Sequence, residues 1–142
     1  MRRRREPVLG ALSFTRGEWQ GRGVTLVNAD DVRSAAQILD GVVHTTPIQT
    51  SEAYSRLLGA SVVLKCEHLQ RTGSFKVRGA LVRLARLSEA ERAAGVVAAS
   101  AGNHAQGVAW SATRLRIAST VYMPSEAAIP KVEATRSYGA QV

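Results

Sequence analysis

Short apolar runs alternate with segments of helical periodicity along most of this 142-residue chain. Three segments have the length and apolar content of buried strands, namely residues 61–66, 96–99 and 118–123. Residues 140–142 look like the start of another strand. Apolar residues recur at helical spacing over residues 29–39, 51–58, 74–86, 104–115 and 125–138. This alternation predicts an α/β fold, with an open parallel sheet, right-handed crossovers and flanking helices.

Lysine is scarce in this sequence, so each lysine is informative. The chain has 19 cationic residues, and only Lys65, Lys76 and Lys131 are lysines. Lysine differs from arginine because its amine can lose a proton, attack a carbonyl and form an imine. Lys76 lies in the first turn of a predicted helix, where the positive end of the helix dipole favours the uncharged amine. Phe75 offers an aromatic face beside it. Spacing alone leaves open the alternative of an amphipathic helix with one surface lysine.

A predicted strand, a polar loop and a predicted helix follow one another at residues 95–109. Ligands bind at the carboxyl ends of strands in open α/β sheets, and the N–H groups at the start of a helix suit a carboxylate or a phosphate. Asn103, in the loop, can donate and accept hydrogen bonds, so its amide suits a phenolic oxygen. His104, taken alone, is better explained as a structural residue at the start of the helix.

Five ordered segments of the chain resemble the fold-type II pyridoxal-phosphate enzymes, a tryptophan synthase β-like group, and within them the threonine dehydratases (threonine ammonia-lyases). The segments are HTTPI at 44–48, LKCEHLQ at 64–70, TGSFKVRGA at 72–80, ASAGNHAQGVA at 99–109, and MP at 123–124 with KVEATRSYGA at 131–140. The similarity begins near residue 25 and continues to the last residue. A lone Ser-x-Lys would be weak support, whereas five segments in the family's order are specific.

The resemblance implies a cofactor, pyridoxal 5'-phosphate, and roles for the matched residues. Lys76 would carry the cofactor and act as the catalytic base, Phe75 would pack against one face of its ring, and Asn103 would bond to its phenolic oxygen. The substrate carboxylate would be received by a loop made of Ser100, Gly102, Asn103 and His104.

The implied reaction is the dehydration and deamination of L-threonine, and also of L-serine, to a 2-oxo acid and ammonia. Both threonine catabolism and isoleucine biosynthesis would fit such an enzyme. Serine racemases of this group carry a second serine in the asparagine loop, where this chain has Ala101. Because alanine has no proton to give, the resemblance favours elimination over racemisation.

Members of the family are more than twice as long as this chain, and their glycine-rich phosphate-binding loop comes later in the sequence. No two glycines are adjacent here. We therefore expect residues 25–142 to be the N-terminal part of the catalytic domain, with residues 75–142 in its small domain. Alone, this part should bind the cofactor weakly, have little or no activity, and associate through unpaired strand edges. The complete enzyme is expected to be a homo-oligomer. A non-catalytic remnant or interaction fragment is the alternative.

The net charge of +8 is concentrated near the N-terminus, since residues 1–23 contain six arginines and two glutamates. We expect residues 1–24 to be a basic, disordered extension outside the resemblance. This extension lacks the long apolar core of a secretory signal, and no run in the chain approaches a membrane span. The remaining charge is dispersed and aromatic residues make up only 5%, which argues against a nucleic-acid surface. A cytoplasmic enzyme without membrane or nucleic-acid partners is expected.

The single cysteine, Cys66, excludes a disulfide scaffold within the chain and is expected to be a buried apolar thiol. His44, His68 and His104 do not have the spacing of a metal site, so no metal ligand is predicted.

Overall fold

The computed structural model describes residues 26–142. Its helices are α1 (Ala29–Leu39), α2 (Glu52–Leu58), α3 (Lys76–Ala85), α4 (Glu89–Ala94), α5 (Asn103–Arg114) and α6 (Ile129–Ser137), with a 3₁₀ turn at Glu67–Leu69. Its strands are β1 (Ile48–Thr50), β2 (Val63–Lys65), β3 (Val96–Ala99) and β4 (Ser119–Tyr122). The predicted basic extension at residues 1–24 lies outside the described residues.

The strands β3 and β4 form a parallel pair, as the alternating pattern predicted. Val96 is opposite Ser119, and the register continues to Ala99 opposite Tyr122. Thr120 makes a further parallel bridge to Gln141, so the predicted strand at residues 140–142 does pair with β4. The α/β fold class is therefore confirmed.

A second small sheet is antiparallel and was not predicted. In it β1 pairs with β2, with Ile48 opposite Lys65 and Thr50 opposite Val63. The three residues of β1 are all exposed and include a glutamine and a threonine, so the segment shows neither an apolar run nor clear alternation. The predicted open parallel sheet therefore corresponds to β3 and β4, and the antiparallel pair is an addition to it.

Local caps define the first helix. The Asn28 Oδ1 atom accepts hydrogen bonds from the backbone N–H groups of Asp30 and Asp31, at 2.8 and 3.1 Å. The Asp31 carboxylate accepts the backbone N–H of Asn28 at 2.9 Å, which completes a capping box. The predicted bounds of this helix, residues 29–39, are confirmed.

The core is built around α5, whose small residues allow close packing. Ala105, Ala109 and Ala112 are fully buried. The neighbouring α3 buries an apolar face made of Val77, Ala80, Leu81 and Leu84. Gly107 lies directly against the start of α3, because a Cβ built on it would be 3.1 Å from the carbonyl carbon of Lys76 and from the backbone nitrogen of Val77. This close approach sets the position of Lys76 relative to α5.

The helices α3 and α4 differ from prediction, and α6 begins at Ile129 rather than at residue 125. The helix α3 begins at Lys76 rather than at residue 74, with Phe75 in the N-cap position. The helix α4 was missed, although Ser88 and Glu91 form a capping box, because six residues are too few to show periodicity. In the part of the chain described, no helix combines the length and the apolar character needed to cross a membrane.

Candidate functional site

Lys76 is the first residue of α3 and its side chain is exposed. The turn before it uses Gly73, whose φ of +68° is in the region that favours glycine. The Ser74 Oγ accepts the backbone N–H of Lys76 at 3.4 Å, although Phe75 and not Ser74 occupies the N-cap position. The Lys76 ammonium lies 4.7 Å from the centroid of the Phe75 ring. The predicted amine and the predicted aromatic face are thus neighbours.

The asparagine loop connects β3 to α5. The backbone N–H of Ser100 donates to the Tyr122 carbonyl at 3.1 Å, which extends the β3–β4 ladder into the loop. The Ser100 Oγ accepts the N–H of Gly102 at 3.2 Å, and Gly102 occupies the N-cap of α5. Among residues 26–142 no side chain caps α5, so its first N–H groups can be offered to a carboxylate or phosphate. Asn103 and His104 are exposed at this end.

The packing of α3 on α5 brings the lysine and the asparagine loop near each other. Asn103 precedes Gly107 by four residues and so lies on the same face of α5, one turn nearer the N-terminus. Because Gly107 lies against the Lys76–Val77 peptide, the first turns of both helices are adjacent.

Lys131, for which the sequence predicted no role, contacts one of the predicted site residues. It belongs to α6, and its Nζ donates to Asn103 Oδ1 at 3.0 Å across 28 residues of sequence. The scarcity of lysine was the signal that pointed to it, since it is one of only three lysines in the chain.

A charged network holds the start of α3 to the preceding 3₁₀ turn. The Arg78 guanidinium donates to both carboxylate oxygens of Glu67, at 2.8 Å each. Thr46 donates to the same carboxylate at 2.5 Å, and Lys65 donates to the Thr46 carbonyl at 2.6 Å. The hydrogen bond from Arg78 is the main cause that lowers the pKa of Glu67 to about 2, with Thr46 adding to it against the opposing effect of burial. Glu67 is therefore a structural anion at neutral pH.

A buried glutamine connects the same region to the segment that begins at His44. The Gln70 Oε1 accepts the backbone N–H of His44 at 2.9 Å, and its Nε2 donates to the His44 carbonyl at 2.8 Å. Gln70 is 4% exposed. These hydrogen bonds join the two matched segments, 44–48 and 64–70, to each other.

Two cavities of about 500 Å³ are each lined by one of the predicted site residues. One includes His104 and lies among α3, α4, β3 and α5. The other includes Phe75, together with His44, Lys65, Glu67 and Arg78. Lys76, Ser100, Gly102 and Asn103 line neither of these two cavities.

Within residues 26–142 there is no group of three or more histidine, cysteine or acidic side chains that could bind a metal ion. Cys66 is buried at 4% exposure and is a free thiol, in agreement with its predicted character.

The donor set fits pyridoxal phosphate. The Lys76 amine is exposed and can reach an aldehyde, and the Phe75 ring is 55% exposed beside it. The Asn103 amide and the uncapped start of α5 provide hydrogen-bond donors for anionic oxygens. These groups therefore combine an amine, an aromatic face and anion-binding donors at the adjoining starts of two helices.

The known proteins that are similar to this chain have a cofactor or reaction that agrees with this chemistry. Residues 39–142 match the family model described as pyridoxal-phosphate dependent enzyme. The chain is 54% identical to the L-threo-3-hydroxyaspartate ammonia-lyase of a Pseudomonas species, over 79% of this chain and 35% of that protein. It is 49% identical to the L-threonine ammonia-lyase of Thermotoga maritima, over 82% of this chain and 29% of that protein.

The fold is also similar to that of a solved enzyme. The serine racemase of Dictyostelium discoideum superposes with a TM-score of 0.77 at 36% identity, over 82% of this chain and 38% of the racemase chain. The chain spans about a third of the length of the relatives it matches. With a family match over most of its length and both site segments inside that match, the chain belongs to the fold-type II pyridoxal-phosphate-dependent enzymes.

Proposed function

We propose that the protein containing this chain is a lyase that converts L-threonine, and also L-serine, to a 2-oxo acid and ammonia with pyridoxal phosphate. The observation that carries the proposal is the exposed Lys76 amine at the start of α3, beside Phe75 and next to the asparagine loop. The 49% identity to an L-threonine ammonia-lyase supports the substrate class.

Each site residue has a task in this proposal. Pyridoxal phosphate, when bound, supplies an electron sink for the charge left on the substrate Cα. Lys76 would hold the cofactor covalently until the amino group of the substrate displaces it, and the freed Lys76 amine would then take the Cα proton of the substrate as general base. Phe75 covers one face of the ring, and the Asn103 amide donates to the phenolic oxygen. The loop that receives the substrate carboxylate consists of Ser100, Gly102, Asn103 and His104.

After the Cα proton is removed, the product depends on whether a proton donor lies on the face of the substrate opposite Lys76. Ala101 is exposed in the asparagine loop and has no acidic hydrogen. Once Lys76 has removed the Cα proton, Ala101 would supply no proton to the opposite face of the substrate, which favours loss of the β-hydroxyl over racemisation. The serine racemase fold does not itself imply racemase activity, because function depends on the site rather than on the fold.

L-threo-3-hydroxyaspartate is a second candidate substrate. The 54% identity to an ammonia-lyase for that amino acid favours it. Its additional carboxylate requires one more cation or N–H donor than threonine does. The same loss of a β-hydroxyl would follow, so the two candidates differ in specificity and not in reaction type.

Residues 25–142 are proposed to be the N-terminal part of the catalytic domain, with residues 75–142 in the small domain of a homo-oligomeric enzyme. The mixed sheet content agrees with this division, since the antiparallel pair precedes residue 75 and the parallel pair follows it. The alternative is an interaction fragment without activity.

Borohydride trapping tests the proposal. The intact native protein is incubated with pyridoxal phosphate, reduced and digested, and mass spectrometry of the peptides locates the label. We expect the label on Lys76, and ammonia with a 2-oxo acid from L-threonine, L-serine or L-threo-3-hydroxyaspartate assayed side by side. The Lys76→Arg variant keeps the charge and should lose both signals. A label on Lys65 or Lys131, or no label, would contradict the assignment.

A further inference from the structure

We propose that Lys131 is a positioning residue that fixes the orientation of the Asn103 side-chain amide and directs its NH₂ group toward the cofactor. This inference rests on the proposed function, in which Asn103 donates to the phenolic oxygen. The contact that carries it is the hydrogen bond of 3.0 Å from Lys131 Nζ to Asn103 Oδ1.

The chemistry of the two groups leaves one arrangement. An ammonium group has three donors and no acceptor, so the atom of the amide that faces it must be the oxygen. The Nδ2 atom then points away from Lys131, with both of its hydrogens available to an acceptor. A free asparagine at the start of a helix can rotate its amide by half a turn, and that rotation would present an acceptor to the phenolic oxygen instead of a donor. Lys131 disfavours the rotated state.

The charge on Lys131 has a second effect. A cation that pulls electron density toward the amide oxygen polarises the amide, and its N–H groups become stronger donors. An anionic phenolic oxygen is the acceptor that gains most from a polarised donor. Lys131 therefore acts on the cofactor through Asn103, without touching it.

The backbone of Lys131 is well placed for this task. The Lys131 carbonyl accepts a hydrogen bond from the hydroxyl of Thr135 at 2.8 Å. Thr135 is the residue of α6 that is fully buried against the rest of the fold. The backbone N–H of Lys131 donates to the Ala128 carbonyl at 2.8 Å. The first turn of α6 is thus fixed at both sides of Lys131, so its side chain reaches Asn103 from a rigid base.

The test measures cofactor affinity by absorbance titration of the intact protein with pyridoxal phosphate. Lys131→Met should weaken binding by about three- to tenfold, the range expected when a charge-assisted hydrogen bond that supports a donor is lost. Lys131→Arg, which still presents only donors to Asn103, should restore most of the affinity. The matched control is Arg136→Met, which removes an exposed cation from the same helix and should leave the affinity unchanged. Thermal unfolding should be unaltered in all three, since these side chains are exposed.

A double-mutant cycle separates action through Asn103 from direct contact with the cofactor. In an Asn103→Ala background, Lys131→Met should cause no further loss of affinity. Equal losses in the two backgrounds would overturn the inference and indicate that Lys131 binds an anion directly. Unchanged affinity in Lys131→Met alone would overturn it as well. If the unsubstituted protein does not bind pyridoxal phosphate, the proposed function fails, and that result is distinguishable from a failure of the Lys131 inference alone.

Discussion

Glu67 and Arg78 form a two-point ion pair, with both carboxylate oxygens 2.8 Å from guanidinium nitrogens. The pair joins the 3₁₀ turn to the first turns of α3, and the Arg78 guanidinium also reaches the His44 carbonyl at 3.4 Å. Bidentate pairs of this kind are short and directional. The two groups therefore set the angle at which the helix carrying Lys76 leaves the preceding loop.

The Glu67–Arg78 pair predicts a specific dependence of stability on acid. The pKa of Glu67 is lowered in the folded state to about 2 from an ordinary 4.5. Its contribution to the free energy of unfolding is thus present above about pH 4.5 and is lost as the pH falls toward 2. We expect Glu67→Gln to lower the unfolding free energy at pH 7 by about 1–3 kcal/mol, and this difference from the unsubstituted protein should shrink between pH 4.5 and 2. Denaturant unfolding at several pH values measures it.

Glu133→Gln is the control for that experiment, because Glu133 is exposed on α6 and forms no ion pair within residues 26–142. Its effect should be small and nearly independent of pH. A Glu67→Gln difference that persists unchanged at low pH would contradict the prediction.

Gly107 and Gly79 predict opposite responses to the same substitution. Both are in helices, where replacing glycine by alanine gains about 1 kcal/mol of helix propensity. In the part of the chain that the structure describes, nothing lies within 4 Å of a Cβ added at Gly79, so Gly79→Ala should raise the unfolding free energy by about that amount. At Gly107 the added Cβ would be 3.1 Å from the Lys76 backbone, and crowding costs about 1–3 kcal/mol, so the gain should vanish or reverse.

A larger side chain at position 107 extends the comparison. Gly107→Val should destabilise the protein clearly and also weaken binding of pyridoxal phosphate, because it pushes the first turn of α3 away from α5. Unfolding curves and cofactor titrations of the three variants measure both effects. Equal stabilisation by alanine at positions 79 and 107 would show that the two helices are not in close contact.

Lys76→Arg should separate folding from chemistry. Lys76 is exposed and its charge is retained in arginine, so the unfolding free energy should change by no more than about 0.5 kcal/mol. Arginine does not act as a base or form an imine at neutral pH, so ammonia release should fall to background. Circular dichroism and a coupled ammonia assay test the two halves, and residual turnover would point to another amine.

Ala101→Ser should change the products if the proposed geometry is right. A hydroxyl at this position would supply a proton that alanine lacks. We expect measurable D-serine from L-serine in the variant, with elimination reduced, whereas the unsubstituted protein should form only ammonia and pyruvate. Chiral chromatography of the reaction detects D-serine. Glycine at position 101 is the control, since it adds no proton donor and should form none.

Local interactions explain which elements the sequence predicted well. The helix α1 was predicted with its bounds because Asn28 and Asp31 lie within three residues of each other and form the cap by themselves. The strand β3 was predicted exactly because four apolar residues follow a glycine. Lys76 and the asparagine loop were proposed as site residues from chemistry and from the resemblance, and their roles stay a prediction; the structure shows that Gly107 of α5 lies against the Lys76–Val77 peptide of α3.

Contacts between distant residues explain what was missed. The strand β1 has no pattern of its own and exists because β2 pairs with it. The Lys131–Asn103 contact spans 28 residues and the Glu67–Arg78 pair spans 11. Neither contact produces a periodic pattern in the sequence. Long-range side-chain contacts of this kind require the fold before they can be identified.

The three lysines of this chain have different surroundings, so chemical labelling can distinguish them. Lys65 donates to the Thr46 carbonyl and Lys131 to Asn103, whereas the Lys76 ammonium lies over the Phe75 ring. Within this chain an amine-reactive acylating reagent has three ε-amino targets, and two of them must first break a hydrogen bond to an oxygen. Acylation at Lys76 should be the fastest of the three, and its protection by a bound ligand would report occupancy of the site by mass alone.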